Sequence, residues 1–318
     1  MRKIKVGVYY DNGCHQITRE VLANPNINAE IVASCHCPNS EKLKNVTYYD
    51  TLEEMLKDER IELVSLCSPN RREQANDAVK CMLAGKHVYA EKPCAMSEED
   101  LERILKTSEK TGKQFHEMAG TAFKQPYYAL RKFILSDKIG DIVQIYSQKS
   151  YPLGTHRPQN EDIDGGLIRQ VGIHNMRFTE HITGLKIKEI YAVQTKLGNG
   201  AQYGNLHTAV SYMMKMENGA VASAVANYMN SVEGIGKYGN ECVRIFGTKG
   251  YAEIMDAGRK SRVIIGDKNM GELDTSEEPK SYFECYIDSL LGTGEMPVSL
   301  EDELHPTRMV IRAAENCR

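Results

Sequence analysis

Residues 6–17, "VGVYYDNGCHQI", run from a short apolar stretch into a turn and on into helix-compatible sequence. The pattern predicts a strand over Ile4 to Val8, a turn, and a helix over Cys14 to Leu22. A strand–turn–helix of this kind opens a nucleotide-binding parallel sheet, where the turn ordinarily reads G-x-G-x-x-G and carries a dinucleotide pyrophosphate. Here the three glycine places hold Tyr10, Asn12 and His15, and only Gly13 lies between them. The question is whether this turn still takes a dinucleotide.

Outward from that turn, strands and helices alternate. "AEIVASC" (29–35), "VTYYD" (46–50), "IELVSLC" (61–67), "HVYA" (87–90) and "QFHEM" (114–118) read as strands. The largely apolar "IELVSLC" suits a strand buried on both faces. Asn39 and Ser40 are candidate caps of a short helix, and Thr51 to Glu54 is a capping box opening a helix to about Lys57. Ala75, Ala78, Val79, Met82 and Leu83 recur at helical spacing before Gly85. Ser97 starts a helix striped by Leu101, Ile104 and Leu105, with Gly112 past its end. Right-handed crossovers then give an α/β doubly wound parallel sheet, a Rossmann-type domain over 1–121.

Beyond it the rhythm changes. "DIVQIYSQKSY", "KEIYAVQTKLG", "HTAVSYMMKME", "GAVASAVANYM", "CVRIFGTKGYAEIM" and "RVIIG" read as long strands, with Asn218-Gly219 the strongest hairpin signal. Helices are expected near 164–183, 279–292 and 300–316. The expectation over 122–318 is an α+β domain with a large open antiparallel sheet, helices on one face. In "AVASAVANYM", Val221, Ser223, Val225 and Asn227 share one face, and Ala222, Ala224, Ala226 and Tyr228 the other. A face this poor in charge predicts a homodimer or homotetramer built through the sheet.

The bulk numbers narrow the partners. With 318 residues, 41% hydrophobic and 26% charged residues and a net charge of −3, nothing points to nucleic acid. The longest apolar runs are strand-length, so no membrane partner is expected, and the N-terminus lacks a signal-peptide pattern. A cytoplasmic protein is the expectation. Nine cysteines without paired zinc spacing read as buried thiols, with no metal site.

"AGKHVYAEKP" (84–93) carries a family likeness. A strand ending in Glu91-Lys92-Pro93, some way after Ser68-Pro69-Asn70, resembles the glucose–fructose oxidoreductase / inositol dehydrogenase (Gfo/Idh/MocA) family across essentially the whole chain. The resemblance implies NAD or NADP as cofactor and a sugar-like or cyclitol-like small-molecule substrate oxidised or reduced at a hydroxyl. It implies that Lys92 sits beside the nicotinamide and bonds the reacting oxygen, as hydride loss from a carbinol requires. It marks His174, in "GGLIRQVGIHNM", as the catalytic histidine. The aspartate expected four residues before it is Gln170, which can orient a hydroxyl but supplies no charge. Leu167, Val171 and Phe178 share its stripe, so His174 should point inward.

The implied cofactor contacts are Tyr10, Asn12, Gly13, His36, Ser68, Pro69, Asn70, Glu91 and Lys92. The acid that usually closes the second strand is replaced by His36, and Glu73 stands where many members have a histidine. A helix N-terminus at 13–15 would still attract an anion. In "PLGTHRPQNEDID" (152–164), His156 and Arg157 are candidate substrate contacts, with Asp164, Arg169 and Arg177 as possible neighbours. Arg169 and Arg177 are equally readable as exposed charges. Three functions stay open: a nicotinamide-dependent oxidoreductase, a silent relative acting as a ligand-binding or interaction protein, and a retained cofactor serving a non-redox reaction such as glycoside cleavage.

Overall fold

Short β-branched and apolar runs pair into six parallel strands, β1 (Ile4–Tyr9), β2 (Ala29–Cys35), β3 (Thr47–Tyr49), β4 (Leu63–Leu66), β5 (His87–Ala90) and β6 (Phe115–Glu117). Their order is β3-β2-β1-β4-β5-β6, so the winding reverses between β1 and β4, where ligands of such sheets bind. The computed structural model describes residues 2–11, 16–38, 43–154, 157–200 and 204–317. Asn12, Gly13, Cys14, His15, Asn39, Ser40 and His156 lie outside them. Leu63, Val64 and Leu66 are fully buried, as a strand covered on both faces requires.

The connecting helices are α1 (Thr18–Ala23), α2 (Leu52–Leu56), α3 (Gln74–Leu83) and α4 (Glu98–Thr111). Thr51 and Ser97 each accept the peptide N–H three residues on, capping α2 and α4, and Gly112 ends α4 at φ 65°. Two helical expectations change. Leu83 is exposed rather than core, because α3 buries Gln74, Ala75, Asp77, Ala78, Cys81 and Met82. And the helix expected from Cys14 begins, as α1, at Thr18, with Gln16 and Ile17 outside it and without a side-chain cap.

The second sheet has eight strands in the order β14-β13-β12-β11-β7-β10-β9-β8. Along the chain come α5 (Tyr127–Ile134), β7 (Ile142–Ser150), α6 (Gly172–Thr183), β8 (Ile187–Thr195), β9 (Ala209–Met216), β10 (Val221–Asn227) and α7 (Val232–Ile235). Then follow β11 (Cys242–Gly247), β12 (Gly250–Met255), β13 (Lys260–Ile265), β14 (Lys268–Gly271), α8 (Tyr282–Leu291) and α9 (Leu300–Glu315). The sheet is mixed: β7 and β10 are parallel neighbours, the other pairs antiparallel. "CVRIFGTKGYAEIM" is a hairpin of two strands, not one long strand. Its glycines are required, since a Cβ on Gly247 would lie 2.3 Å from the Ile139 carbonyl oxygen, and on Gly250 2.0 Å from that of Ile264. Asn218-Gly219 turns β9 into β10 with Gly219 at φ 88°. Ala222, Ala224 and Ala226 line the inner face, against which α6 packs.

The chain divides into two compact units. One comprises Met1–Ala119, Asp162–Asp164 and Ser281–Leu304; the other comprises Gly120–Glu161, Gly165–Lys280 and His305–Arg318. In the first, α8 lies on the parallel sheet through Phe283 and Tyr286, whose rings stand 5.1 and 5.8 Å from that of Tyr89. Among the described residues, no helix is long and apolar enough to cross a membrane.

Candidate active-site residues

In the first unit, the ends of β4 and β5 are joined by buried polar side chains. Ser68 is fully buried; its hydroxyl donates to Asp77 Oδ2 at 2.8 Å, and burial pushes the Asp77 carboxyl above its usual range. Asn70 accepts the Arg72 N–H through Oδ1, capping the turn at Arg71–Glu73, and Pro69 is exposed. Arg71, only 3% exposed, donates to the Ser68 carbonyl at 2.9 Å, to Gln74 Oε1 at 2.7 Å and to the Lys92 carbonyl at 3.3 Å. Gln74 donates to the carbonyls of Glu91 and Pro93. The Ser68–Asn70 loop and Glu91-Lys92-Pro93 are thereby one hydrogen-bonded body.

Lys92 is not a surface lysine. It is 2% exposed, with Nζ 3.8 Å from Oε1 of Glu91, itself 1% exposed. Removing an ammonium from water is costly unless charge and hydrogen bonds compensate, which is why such groups mark sites of chemistry. Arg71, which holds the Lys92 carbonyl, and Gln74, which holds those of Glu91 and Pro93 on either side, escape a sequence reading. The available signal was Gln74's place on the apolar stripe of α3.

At the β1–β4 reversal, Tyr10 stands at φ 51°, the left-handed conformation that a glycine would adopt freely. The Tyr10 ring packs on His36, and His36 Nε2 lies 2.8 Å from the Asp50 carbonyl oxygen. Gln16, 4% exposed, donates through Nε2 to the carbonyls of Tyr10 at 2.9 Å and Ser65 at 3.2 Å. Its amide thus bridges β1 and β4 where their ends diverge. Asn12 and Gly13, expected at the pyrophosphate, lie outside the described residues.

In the second unit, "GG" at 165–166 is explained by backbone geometry. Both glycines have positive φ, and a Cβ on Gly166 would lie 2.6 Å from the Glu161 carboxyl carbon. Gly166 precedes a π-helical turn, Leu167–Val171, that contains Gln170 and leads into α6. Such turns widen the helix and recur at functional sites. His174 is half-buried; Nδ1 lies 3.0 Å from Thr121 Oγ1 and Nε2 3.1 Å from the Tyr151 hydroxyl. Tyr151 and Thr121 are further residues that sequence reasoning passed over.

Arg177 is fully buried, which rules out its reading as an exposed charge; Arg169 is half-buried. Arg157 stacks its guanidinium 4.0 Å above the Tyr228 ring and donates to the Leu153 carbonyl at 3.3 Å. Asp164 is buried and belongs to the first unit. His156 lies outside the described residues. Burial raises the Cys35 thiol to about 11, leaving it a packing group. Among the described residues, no group of three or more His, Cys, Asp or Glu could hold a metal ion.

Comparison with known proteins agrees with this architecture in both halves. Residues 19–118 match the oxidoreductase family with an NAD-binding Rossmann fold, and residues 127–253 match the GFO/IDH/MocA C-terminal domain. The chain belongs to the GFO/IDH/MocA oxidoreductase family. It is similar to the uncharacterized oxidoreductase YrbE of Bacillus subtilis, at 26% identity over 82% of this chain and 77% of that protein. It is also similar to myo-inositol 2-dehydrogenase of Thermotoga maritima, at 23% identity over 72% of this chain and 66% of that one. Among solved structures, levoglucosan dehydrogenase in complex with NADH and L-sorbose has a TM-score of 0.82 at 14% identity, covering 99% of this chain and 97% of that one, a likeness of fold. The Rossmann sheet and the mixed sheet with α6 on its inner face are the two domains of a GFO/IDH/MocA protein.

Proposed function

We propose that this oxidoreductase transfers a hydride between NAD or NADP and a hydroxyl or keto group of a sugar, cyclitol or related small molecule. The observation that carries the reading is the buried Lys92, whose carbonyl accepts from Arg71, which in turn donates to the Ser68 carbonyl, in an NAD-binding Rossmann domain. The relatives supply the substrate class, since one is named for myo-inositol and one fold neighbour holds NADH with L-sorbose.

The positive φ of Tyr10 at the β1–β4 reversal and the buried polar body at Ser68 support a dinucleotide site. Tyr10, Asn12, Gly13 and His36 would hold its pyrophosphate and adenosine half, and Ser68, Pro69, Asn70, Glu91 and Lys92 its nicotinamide half. When bound, nicotinamide supplies the carbon that gives or accepts the hydride. The rest falls to the chain. Lys92 exchanges a proton with the reacting oxygen, stabilising the alkoxide-like charge that develops as the hydride moves. His174 is the second acid/base, Gln170 orients a hydroxyl through its neutral amide, and Arg157 binds substrate oxygens. Residues 1–121 carry the cofactor; residues 122–318 carry substrate recognition and assembly into a homodimer or homotetramer.

The test is the mass of any nucleotide that co-purifies, followed by initial rates with NAD and NADP against a panel of polyols and aldoses. Nucleotide retention with polyol-dependent turnover supports the reading. A chain that binds neither cofactor would be a ligand-binding relative instead.

A further inference from the structure

His174 has no carboxylate at the position four residues before it, where Gln170 stands, yet both ring nitrogens meet hydroxyl groups. Thr121, in the turn Gly120–Phe123, reaches Nδ1, and Tyr151, just after β7, reaches Nε2. A phenol is a far stronger acid than an aliphatic alcohol, so the two contacts are not equivalent. A neutral ring accepts at one nitrogen and donates from the other, and the better donor, Tyr151, is the one suited to the lone pair, with the Thr121 oxygen suited to accept the N–H.

Tyr151 is itself under the influence of a buried cation. The Lys149 ammonium lies 5.3 Å from the Tyr151 ring centroid and 4.5 Å from that of Tyr238, and it is ion-paired with Glu241. Glu241 also accepts the hydroxyl of Tyr127. Lys149, Glu241, Tyr151 and Tyr127 are all buried. A cation over the ring withdraws electron density from the phenol and strengthens it as a donor.

We propose that Tyr151 and Thr121 are positioning residues that fix His174 as its Nδ1–H tautomer, with Nε2 the acceptor, in place of a carboxylate. Lys149 reinforces the arrangement through Tyr151. The catalytic consequence rests on the proposed function; the tautomer does not.

The experiment uses the full chain with ¹⁵N-labelled histidine and long-range ¹H–¹⁵N correlation at a pH where the ring is neutral. The His174 signals are assigned by their loss in His174→Asn. The expected result is protonated Nδ1 and bare Nε2 in the parent protein. Tyr151→Phe should convert this to a mixture with substantial Nε2–H, since Thr121 can then donate. Thr121→Val should also disturb it, and Thr121→Ser should restore it. On a confirmed substrate, Tyr151→Phe should lower kcat/KM on the order of tenfold, the scale of one lost hydrogen bond. An Nε2–H ring in the parent protein would overturn the proposal, as would Tyr151→Phe lowering activity while leaving both nitrogens unmoved. A tautomer that shifts as expected in a protein without turnover would preserve the positioning role and sink the oxidoreductase reading instead.

Discussion

The ring of Tyr10 stands 4.9 Å from that of His36, tilted by 33°, across the ends of β1 and β2. Both residues have positive φ, 51° each. Two non-glycine residues held in that conformation and packed on each other occupy the ground where a GFO/IDH/MocA Rossmann domain is expected to meet adenosine. His36 lacks the charge of a ribose-binding carboxylate. Charge-assisted hydrogen bonds of that kind are worth about 1.5–3 kcal/mol, so NAD should bind roughly ten- to a hundredfold more weakly than at an acidic site. NADP should bind no worse than NAD, because His36 does not repel a 2′-phosphate. Calorimetric titration with both cofactors measures this, and His36→Asp should swing the preference toward NAD. Tight, NAD-selective binding by the parent chain would refute it.

The parts of this structure legible in sequence are those written in local chemistry. Thr51, Ser97, Gly112 and Asn218-Gly219 act through a few neighbouring atoms, and each does what its position predicts. The Leu-Val-Ser-Leu run at Leu63–Leu66, with large apolar residues at three of four places, announces a strand covered on both faces. What sequence conceals is non-local. The parallel pairing of β7 with β10 joins strands about seventy residues apart, and no short-range pattern distinguishes it from an antiparallel neighbour. The β14 strand, all four residues exposed, has no apolar alternation to show. Lys92, His174 and Gln170 could be singled out by likeness. Arg71 and Tyr151 could not, since their importance lies in which distant atom they reach.

Lys92→Met should lower kcat by several orders of magnitude while changing cofactor affinity less, because it removes proton handling in the transition state. His174→Asn should also be damaging. Gln170→Ala should cost only about five- to tenfold, the scale of one neutral hydrogen bond. Steady-state kinetics on a confirmed substrate, with cofactor affinity measured separately, checks the series. Near-normal turnover by Lys92→Met would show that the roles are misassigned.

The outer face of the second sheet presents Tyr191, Val193, Met213 and Val221, each more than half exposed, with Tyr191 directly opposite Met213. Exposed large apolar side chains gathered on one sheet face, here with Glu189, Ser211 and Lys215 among them, point to an association surface. Light scattering should find a dimer or tetramer at micromolar concentration, and Met213→Glu with Tyr191→Glu should shift it to monomer. A monomeric parent chain would end this argument.

Gly172, the first residue of α6, is packed against a neighbour rather than strained in its backbone. A Cβ there would fall 2.0 Å from the Tyr212 hydroxyl, and Tyr212 is buried. Gly172→Ala should destabilise by about 1–3 kcal/mol, the usual cost of overpacking. Tyr212→Phe removes the nearest atom, so the double variant should recover part of the loss. A double-mutant cycle in urea reads the coupling; strict additivity would mean the backbone, not this contact, requires the glycine.

The last prediction concerns acid. His87 opens β5, and its Nδ1 accepts the Gln114 N–H at 3.0 Å, which requires a lone pair on the ring. Burial, helped by Lys113 and opposed by Glu62, lowers its pKa from 6.5 to about 4. Between these values the unfolded chain binds a proton that the native protein refuses. Stability from this residue is therefore complete above about pH 6.5 and is lost as pH falls toward 4. Because the ring is only partly buried, the change should be on the order of 1–2 kcal/mol rather than the full value of the shift. Urea unfolding at about pH 7.5 and about pH 4.5 measures it. His87→Asn keeps an acceptor for the Gln114 N–H but cannot titrate, so its stability should vary less between the two conditions. If both proteins lose the same stability on acidification, His87 is not the group responsible.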